Sequence, residues 1–238
     1  MWNGKRISVI FPTYNEKDSI YQAIEDFFAN GYVDEVVVIN NNAAEGTAEE
    51  VARTRARQVF ETRQGYGNAI RRGFQEADPA SDFIIVSEPD GTFSGGDVIK
   101  LLAYADDFEY VLGTRTSREF IWAGANMGWF LKWGNWAVAK MVEFLFNTTL
   151  LTDVGCTMRL IHRDSLRRLE NQFTVGTSHF GLEMTLLAIT NRLRLVEIPV
   201  NYRKRVGRSS VTGSKIKAFR LGLMMIFMIW AHRLRTLW

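Results

Sequence analysis

Short apolar runs alternate with amphipathic segments along the first half of the chain. Five runs have the character of strands and lie at residues 7–11, 36–39, 59–61, 83–86 and 110–113. Four segments between them carry apolar residues at helical spacing, at residues 18–30, 47–57, 68–77 and 97–105. Because buried strands that alternate with helices form parallel sheets, the pattern predicts an α/β fold with a mostly parallel central sheet flanked by helices.

The second half has a different pattern. Residues 121–146 form a long aromatic and apolar segment that Gly124, Gly128 and Gly134 interrupt. The pattern then predicts helices at 163–170 and 183–191, a strand at 195–200, a basic Gly/Ser-rich loop at 203–214 and an apolar helix from residue 215. We therefore predict one large domain over residues 1–215 and a C-terminal apolar helix with basic flanks over residues 216–238.

Composition and cysteine content exclude several classes of protein. The 238 residues are 47% apolar and 23% charged, which is typical of a globular chain and not of disorder. The lone Cys156 cannot form an internal disulfide, and it disfavours a zinc site built on thiolates. The first residues run directly into a strand without a signal-peptide pattern, so we expect a cytoplasmic location or the cytoplasmic face of a membrane.

Positive charge is concentrated at the C-terminal end. Residues 192–238 contain 11 Lys or Arg residues and one acidic residue, whereas the preceding residues carry a net negative charge. A basic tail on an acidic body predicts an anionic partner such as phosphate groups or anionic lipid. Nucleic acid is disfavoured, because the aromatic residues of the tail lie in an apolar helix and not among the basic residues.

The uncharged stretch of the tail, residues 221–231, is short. A membrane-spanning helix needs about 20 apolar residues, so this segment is not predicted to span. Its basic flanks, together with Trp230 and Trp238, instead predict a helix that lies in a membrane interface. Two alternatives stay open: the apolar helices pack against the rest of the chain, or they mediate a homo-oligomer.

Three polar clusters follow predicted strands at the points where those strands end. They occupy residues 12–16, 40–47 and 88–93. Ligands of parallel α/β sheets bind beyond the carboxyl ends of the strands, so we expect the clusters to converge on one crevice. Carboxylate oxygens suit Mg²⁺ or Mn²⁺, which commonly bridge a protein carboxylate and substrate phosphates.

The polar clusters resemble motifs of the family 2 glycosyltransferases, which have the GT-A (Rossmann-like) fold. Residues 7–16 resemble the opening of that family, and the segment from Asn40 aligns with its Val-Asp-Asp-Gly-Ser-x-Asp-Gly-Thr signature. Glu88-Pro89-Asp90 falls where the family has its Asp-x-Asp metal motif. The resemblance implies an enzyme that transfers a sugar from a nucleotide-sugar donor with the help of Mg²⁺ or Mn²⁺.

Later motifs are similar to those of the dolichyl-phosphate mannose synthase branch of the family. They include residues 153–159 and residues 197–203, and the second is followed by Arg205, Gly207 and Ser209. Gly113-Thr114-Arg115 resembles a further family element, and the whole resemblance covers roughly residues 5–215. It implies a polyprenyl phosphate acceptor at a membrane surface.

The chain departs from the family pattern at two positions. Asn40 and Asn41 replace a pair of aspartates, and an amide both donates and accepts hydrogen bonds, so the donor base stays open. Glu88 replaces the first aspartate of the metal motif. We expect Asp90 to be the direct metal ligand, with Glu88 as its partner.

The resemblance also implies roles for individual residues. The donor-binding residues are Pro12, Tyr14, Glu16, Asn40, Gly65, Asp90, Arg205 and Ser209, where Arg205 and Ser209 belong to a basic loop that closes over the phosphates. The residues of the catalytic, acceptor side are Arg115, Asp153 and Arg159. A phosphate acceptor attacks with its own oxygen, whereas a hydroxyl acceptor needs a protein base, for which Asp153 is the first candidate and Glu183 the second.

Two further functions stay open at this point. A nucleotidyltransferase on a related fold usually carries a Gly-rich, basic loop after the first strand, and residues 12–16 do not match that pattern. A non-catalytic nucleotide- or membrane-binding module is suggested by the altered residues Asn40 and Glu88.

Overall fold

The computed structural model describes residues 1–125, 128–207 and 215–235 and contains one seven-stranded sheet. The strands are β1 (Ile7–Thr13), β2 (Glu35–Asn40), β3 (Arg57–Phe60), β4 (Phe83–Val86), β5 (Tyr110–Thr114), β6 (Arg159–His162) and β7 (Leu195–Pro199). Their order across the sheet is β3-β2-β1-β4-β6-β5-β7. Strands β1 to β4 pair in parallel, as do β5 and β7, so the predicted mostly parallel α/β sheet is confirmed.

Strand β6 was absent from the sequence prediction. It pairs antiparallel with β4 on one side and with β5 on the other, so it lies inside the sheet. Only Leu160 and Ile161 are apolar in this four-residue strand, which begins with Arg159 and ends with His162. So short a run gives no period of its own, and only the pairing with both neighbours defines it as a strand.

In the described ranges, eight α-helices connect and cover the strands. They are α1 (Lys17–Ala29), α2 (Thr47–Ala52), α3 (Tyr66–Glu76), α4 (Val98–Ala105), α5 (Trp129–Phe146), α6 (Arg163–Leu169), α7 (Phe180–Thr190) and α8 (Lys215–Arg235). The predicted helix over 47–57 is too long, because the Thr54 hydroxyl donates to the Val51 carbonyl and accepts from the Ala56 N–H. That turn ends α2 early and lets Arg57 begin β3.

The sheet is buried on both faces. Ile10 of β1 packs into the cluster that α3 and helices α5 to α8 cover, whereas its neighbours Val9 and Phe11 pack into the cluster under α1 and α4. Burial on both faces explains why the strands are continuous apolar runs and do not alternate with polar residues.

The long helices α5 and α8 pack against each other, and α8 also contacts α7. Met225 and Ile229 anchor α8 in the core, with exposed fractions of 7% and 0%. Among the helices of the described residues, none combines the length and the apolar character needed to cross a membrane.

Candidate active site

A cavity of about 390 Å³ lies at the carboxyl ends of β1, β4 and β5. The predicted site residues that line it are Pro12, Tyr14, Glu16, Gly65, Glu88, Arg115 and Arg205. The polar segments that follow these strands therefore meet in one crevice, as expected for a sheet of parallel strands. We call it the donor cavity.

Arg205 gathers three acidic side chains at the wall of the donor cavity. Its Nη2 donates to Oε1 of Glu16 at 2.9 Å, and its Nη1 lies 2.7 Å from Oδ2 of Asp90 and 3.6 Å from Oε2 of Glu88. Burial alone would lower the pKa of Arg205, but the charges of Asp90, Glu88 and Glu16 raise it. The guanidinium is therefore firmly charged and acts as the common cation of this acidic cluster.

The acidic side chains are themselves held in fixed positions. Oε2 of Glu16 accepts from the N–H groups of Tyr14 and Asn15 at 2.6 and 2.8 Å. The fully buried Asp90 accepts from the N–H and the hydroxyl of Thr92 through Oδ1. These bonds leave one carboxylate oxygen of each residue directed at Arg205.

The donor atoms of Glu88 and Asp90 fit a divalent metal. In the described parts of the chain, no group of three or more His, Cys, Asp or Glu side chains is arranged to hold a metal ion. However, Glu88 and Asp90 direct one oxygen each toward the same Nη1 atom, and hard oxygen ligands suit Mg²⁺ or Mn²⁺. Burial and the charge of Asp90 raise the pKa of Glu88 to about 8 despite the opposing charge of Arg205, so a divalent cation at this carboxylate would favour its ionised form at neutral pH.

The asparagines at the end of β2, Asn40 and Asn41, have different roles. Asn40 is buried behind the cavity wall, where its Oδ1 accepts from the N–H of Ala43 at 2.9 Å. Asn41 lines the cavity and accepts from the N–H of Gly65 at 2.7 Å. Asn41 therefore fixes the chain at the start of α3, and Asn40 organises the loop between β2 and α2.

Gly65 occupies a position that only glycine tolerates. Its φ is +139°, and a Cβ atom there would lie 2.2 Å from the carbonyl oxygen of Gly176. The close approach brings the loop before α7 against the start of α3, so that Ser178 and Tyr66 both line the donor cavity.

Asp153 and Arg115 form a buried ion pair. Oδ2 of Asp153 accepts from the N–H and Nε of Arg115 at 3.0 and 2.8 Å, and Oδ1 accepts from Nη2 at 2.9 Å. Burial acts to raise the pKa of Asp153, but the charge and hydrogen bonds of Arg115 hold it below its usual range. Arg115 reaches the donor cavity, while Asp153 lies behind it.

Glu197 of β7 fixes the backbone at Asp153 and so helps to position this ion pair. Its Oε2 accepts from the N–H and the hydroxyl of Thr152 at 2.6 and 2.7 Å, and its Oε1 accepts from the N–H of Asp153 at 2.8 Å. Burial raises the pKa of Glu197 to about 7, although the Thr152 and Asp153 donors act in the opposite direction.

A second cavity, of about 380 Å³, adjoins the first. Helices α5, α7 and α8 supply most of its wall, and the two cavities share Tyr66, Arg115, Gly155, Thr157, Ser178, Tyr202 and Leu221. Apolar side chains such as Val138, Leu182 and Ile226 dominate its lining, and we call this second cavity the apolar cavity.

Arg159 lies at the wall of the apolar cavity. Its guanidinium donates to the Tyr110 hydroxyl at 2.8 Å, to the Gly181 carbonyl at 2.7 Å and to the Cys156 carbonyl. Within the described residues it has no acidic ion-pair partner, although its side chain is almost fully buried. A buried cation held by neutral groups retains an uncompensated charge that favours an anion nearby.

His179 and Glu183 lie near the start of α7 but differ in their surroundings. His179 lines the apolar cavity, and burial lowers its pKa. Glu183 instead accepts from the N–H of Thr174 at 2.9 Å and from the N–H of Val175, so it fastens the loop before α7. Ser209 lies outside the described residues.

Tyr66 and Tyr202 line both cavities, although the sequence prediction named neither as a site residue. Tyr202 faces the Arg115 guanidinium, 5.2 Å from its ring centroid. Tyr66 directly follows Gly65, and Tyr202 lies within the 197–203 motif, so the neighbouring motif residues were the available signal.

A protein-family model matches most of the chain. Residues 8–170 match the model described as Glycosyl transferase family 2. The chain belongs to glycosyl transferase family 2. The family expected from the motifs is therefore confirmed.

Several curated relatives of this family 2 chain align over most of its length. It is 29% identical over 212 residues to an uncharacterized glycosyltransferase of Mycobacterium tuberculosis, and the alignment covers 89% of this chain and 92% of the relative. It is 25% identical over 209 residues to a dolichyl-phosphate hexose transferase of Haloferax volcanii, and this alignment covers 86% of each chain.

Solved structures confirm the GT-A fold of this family 2 chain. A crystal structure of glucosyl-3-phosphoglycerate synthase from Mycobacterium tuberculosis, in complex with Mn²⁺, UDP and phosphoglyceric acid, matches with a TM-score of 0.72. The match covers 97% of this chain and 79% of the synthase, at 16% identity. At this identity the similarity establishes the fold alone.

Proposed function

We propose that this family 2 enzyme transfers a sugar, with inversion, from a nucleotide-sugar donor to a polyprenyl phosphate at a membrane surface. The observation that carries the acceptor assignment is the apolar cavity, which opens into the donor cavity and has Arg115 and Arg159 at its wall. A hydrocarbon chain fits its apolar lining, and an anionic head group fits its basic residues. The similarity to a dolichyl-phosphate hexose transferase supports the same acceptor class and the same branch of the family.

In this proposal the donor lies over the carboxyl ends of the strands. Pro12, Tyr14, Glu16 and Gly65 surround the nucleotide, and Asn40 orders the neighbouring loop. Glu88 and Asp90 hold Mg²⁺ or Mn²⁺, which neutralises charge on the departing nucleoside diphosphate when it is bound. The Mn²⁺ and UDP present in crystal structures of the same fold support this cofactor and donor class. Arg205 binds the donor phosphates, and the sequence predicts the same role for Ser209.

The acceptor phosphate is its own nucleophile. One of its anionic oxygens forms a bond to the anomeric carbon, while the bond from that carbon to the diphosphate oxygen breaks and leaves its electron pair on the nucleoside diphosphate. No proton has to be removed from the acceptor, so no protein base is required. Arg115 and Arg159 orient the acceptor phosphate for this attack.

The hydrogen bonding of Asp153 favours a positioning role over a base. Both of its oxygens accept from Arg115, and Oδ1 also accepts from the N–H of Gly155 at 3.0 Å. A carboxylate with a lowered pKa and four donors around it binds a proton weakly. In this proposal Asp153 acts by holding Arg115 in the cavity.

Exposed apolar side chains on α5 and α8 support a membrane-surface location. Exposed apolar side chains recur at helical spacing along α8 at Phe219, Leu223, Phe227 and Trp230, and Phe227 is 76% exposed. Phe144 of α5 is 85% exposed. With Arg220, Arg233 and Arg235 on α8, such a surface suits the interface of an anionic bilayer.

Transfer into lipid tests the proposed function. The protein is incubated with vesicles that contain polyprenyl phosphate, with Mn²⁺ and with one radiolabelled sugar nucleotide at a time, and the products are extracted with organic solvent. We expect label in the organic phase for at least one donor. Unphosphorylated polyprenol should accept no label, because the phosphate supplies the nucleophile.

Two variants and one alternative acceptor complete the test. Asp90→Asn should abolish transfer, whereas Asp106→Asn, which alters an exposed aspartate paired with Lys5, should not. Phosphoglycerate offered in the water phase serves as the hydroxyl acceptor. Label that reaches only a water-soluble product, or no product with any donor, would contradict a polyprenyl phosphate acceptor.

A further inference from the structure

We infer that Arg205 is an internal counter-cation that occupies the metal position until the donor arrives, so that metal and nucleoside diphosphate bind cooperatively. The inference rests on the proposed metal-dependent function. It gives Arg205 two alternative sets of partners, the acidic side chains of the cluster and the donor phosphates. Its consequence is that the enzyme holds metal weakly when no nucleotide is bound.

The first step is the geometry of the acidic cluster. Nη1 of Arg205 lies 2.7 Å from Oδ2 of Asp90 and 3.6 Å from Oε2 of Glu88, the two oxygens that would hold a divalent cation. Asp90 is fully buried, and the Arg205 side chain is only 21% exposed. A metal cannot reach the same oxygens while the guanidinium remains there, because the two cations would overlap and repel each other at short range.

The second step is that the backbone of Arg205 is fixed beside the cluster. The N–H of Arg203 donates to the Thr92 carbonyl at 2.8 Å, and the N–H of Val206 donates to the Asp90 carbonyl at 2.9 Å. The segment is thus tied to the turn that carries Asp90. Displacement of the guanidinium therefore requires only side-chain rotation, and the residue stays within reach of a ligand in the donor cavity.

The third step concerns the remaining donor of the guanidinium. Nε of Arg205 is buried and has no hydrogen-bond partner among the described residues. A buried donor without an acceptor is costly, and Arg205 lines the donor cavity where a diphosphate would lie. A phosphate group would supply acceptors for Nε and for the displaced Nη1 together, in the forked geometry that arginine and phosphate share.

These steps link the two ligands. Metal alone must separate Arg205 from its carboxylates, whereas diphosphate offers the guanidinium new anionic partners and releases the carboxylates to the metal. Because such coupling is reciprocal, metal raises the affinity for diphosphate by the same factor. Removal of the arginine charge should therefore strengthen metal binding in the absence of nucleotide and weaken the coupling.

Calorimetric titration with Mn²⁺ tests this inference. Arg205→Gln should bind Mn²⁺ alone more tightly than the wild type, by a factor on the order of 10, typical of site-to-site coupling. Arg205→Lys keeps the charge and should stay near the wild type. Lys204→Gln removes an exposed neighbouring charge outside the acidic cluster, so it controls for general electrostatics and should leave the affinity unchanged.

The same titrations in the presence of UDP or GDP measure the coupling. If UDP or GDP binds, it should increase the Mn²⁺ affinity of the wild type by a larger factor than it increases the Mn²⁺ affinity of Arg205→Gln. The inference is overturned if Arg205→Gln binds Mn²⁺ alone no more tightly than the wild type, or if Lys204→Gln gains as much as Arg205→Gln.

Thermal unfolding provides a second readout. Loss of Arg205 leaves Glu16, Glu88 and Asp90 without their common cation, so Mn²⁺ should raise the Tm of Arg205→Gln more than that of the wild type. Equal shifts would contradict the inference. Neither the titrations nor the thermal unfolding uses an acceptor. Failed transfer into lipid would therefore refute the proposed acceptor, whereas the Mn²⁺ measurements test the role of Arg205 separately.

Discussion

Asp153→Asn tests the claim that a buried ion pair fixes Arg115 in the active site. The substitution keeps the shape of the side chain but removes its charge and one of its two acceptor oxygens. In the wild type, Oδ2 accepts from the N–H and Nε of Arg115, and Oδ1 accepts from Nη2 of Arg115 and the N–H of Gly155. The exposed fractions are 0% for Asp153 and 12% for Arg115, so water cannot replace the lost acceptor.

The expected loss of stability follows from these contacts. Whichever way the asparagine amide turns, its NH₂ group faces two donors that have lost their acceptor. Each buried, unsatisfied donor costs about 1–3 kcal/mol, which gives a total of about 2–6 kcal/mol. Removal of one partner from a buried ion pair costs about 3–5 kcal/mol, within the same range. We therefore expect the free energy of unfolding to fall by about 3–5 kcal/mol, a large part of the total stability of a typical domain.

Urea denaturation at neutral pH, followed by tryptophan fluorescence, measures this change. Asp164→Asn is the matched control, since it removes the same charge from an Asp–Arg pair in which Asp164 is 92% exposed and Arg167 is 59% exposed. That variant should unfold almost as the wild type does, because exposed ion pairs contribute little. A loss of less than about 1 kcal/mol for Asp153→Asn, the range of exposed pairs, would refute the argument. A variant that stays stable but loses transfer would point to a direct role for Asp153 in catalysis.

Three further predictions address the cavity, the support of the ion pair and the exposed helix face. Gly222 lines the apolar cavity and has open space around the position of a Cβ atom. Gly222→Leu should therefore block lipid transfer but not Mn²⁺–nucleotide binding, whereas Gly222→Ala should retain both. Equal transfer by the two variants would argue against the cavity as the acceptor site. The pKa of Glu197 is raised from 4.5 to about 7, so the folded state binds this proton more tightly than the unfolded state. Denaturation at several pH values should then show the wild type losing up to about 3 kcal/mol relative to Glu197→Gln as the pH rises from 4.5 through 7, and a pH-independent difference would contradict this. Phe227→Ser should reduce sedimentation with anionic vesicles, whereas Phe60→Ser, which alters a 63% exposed phenylalanine of β3, should not; equal losses would remove the support for α8 as the membrane contact.

Much of the fold was predictable because its signals are local. The runs that became β1, β2, β4 and β5 are apolar and β-branched, since each of these strands is buried on both faces. Strand β6 was missed because two apolar residues between Arg159 and His162 carry no period, and its place between β4 and β5 depends on partners far away in the sequence. The end of α2 was also missed, because a single hydroxyl, that of Thr54, makes the turn that stops it.

The candidate site was predictable in membership but not in arrangement. The order of motifs led to Glu16, Glu88 and Arg205, and all three line the donor cavity. However, the sequence could not show that Arg205 holds the carboxylates, since that contact joins residues up to 189 positions apart. It also could not distinguish Asn40, which organises a loop, from Asn41, which lines the cavity, because neighbouring side chains point in different directions once the backbone is set.

The sequence by itself determined the family, the α/β sheet and the concentration of polar residues at the ends of its strands. Each of these features depends on short segments, because the hydrophobic period and the residue types of a few neighbouring positions are enough to predict it. The tertiary structure decided the partners of the charged residues and the existence of the apolar cavity between α5, α7 and α8. Those features arise from packing between distant segments, where burial sets both the strength of an ion pair and the space left for a ligand.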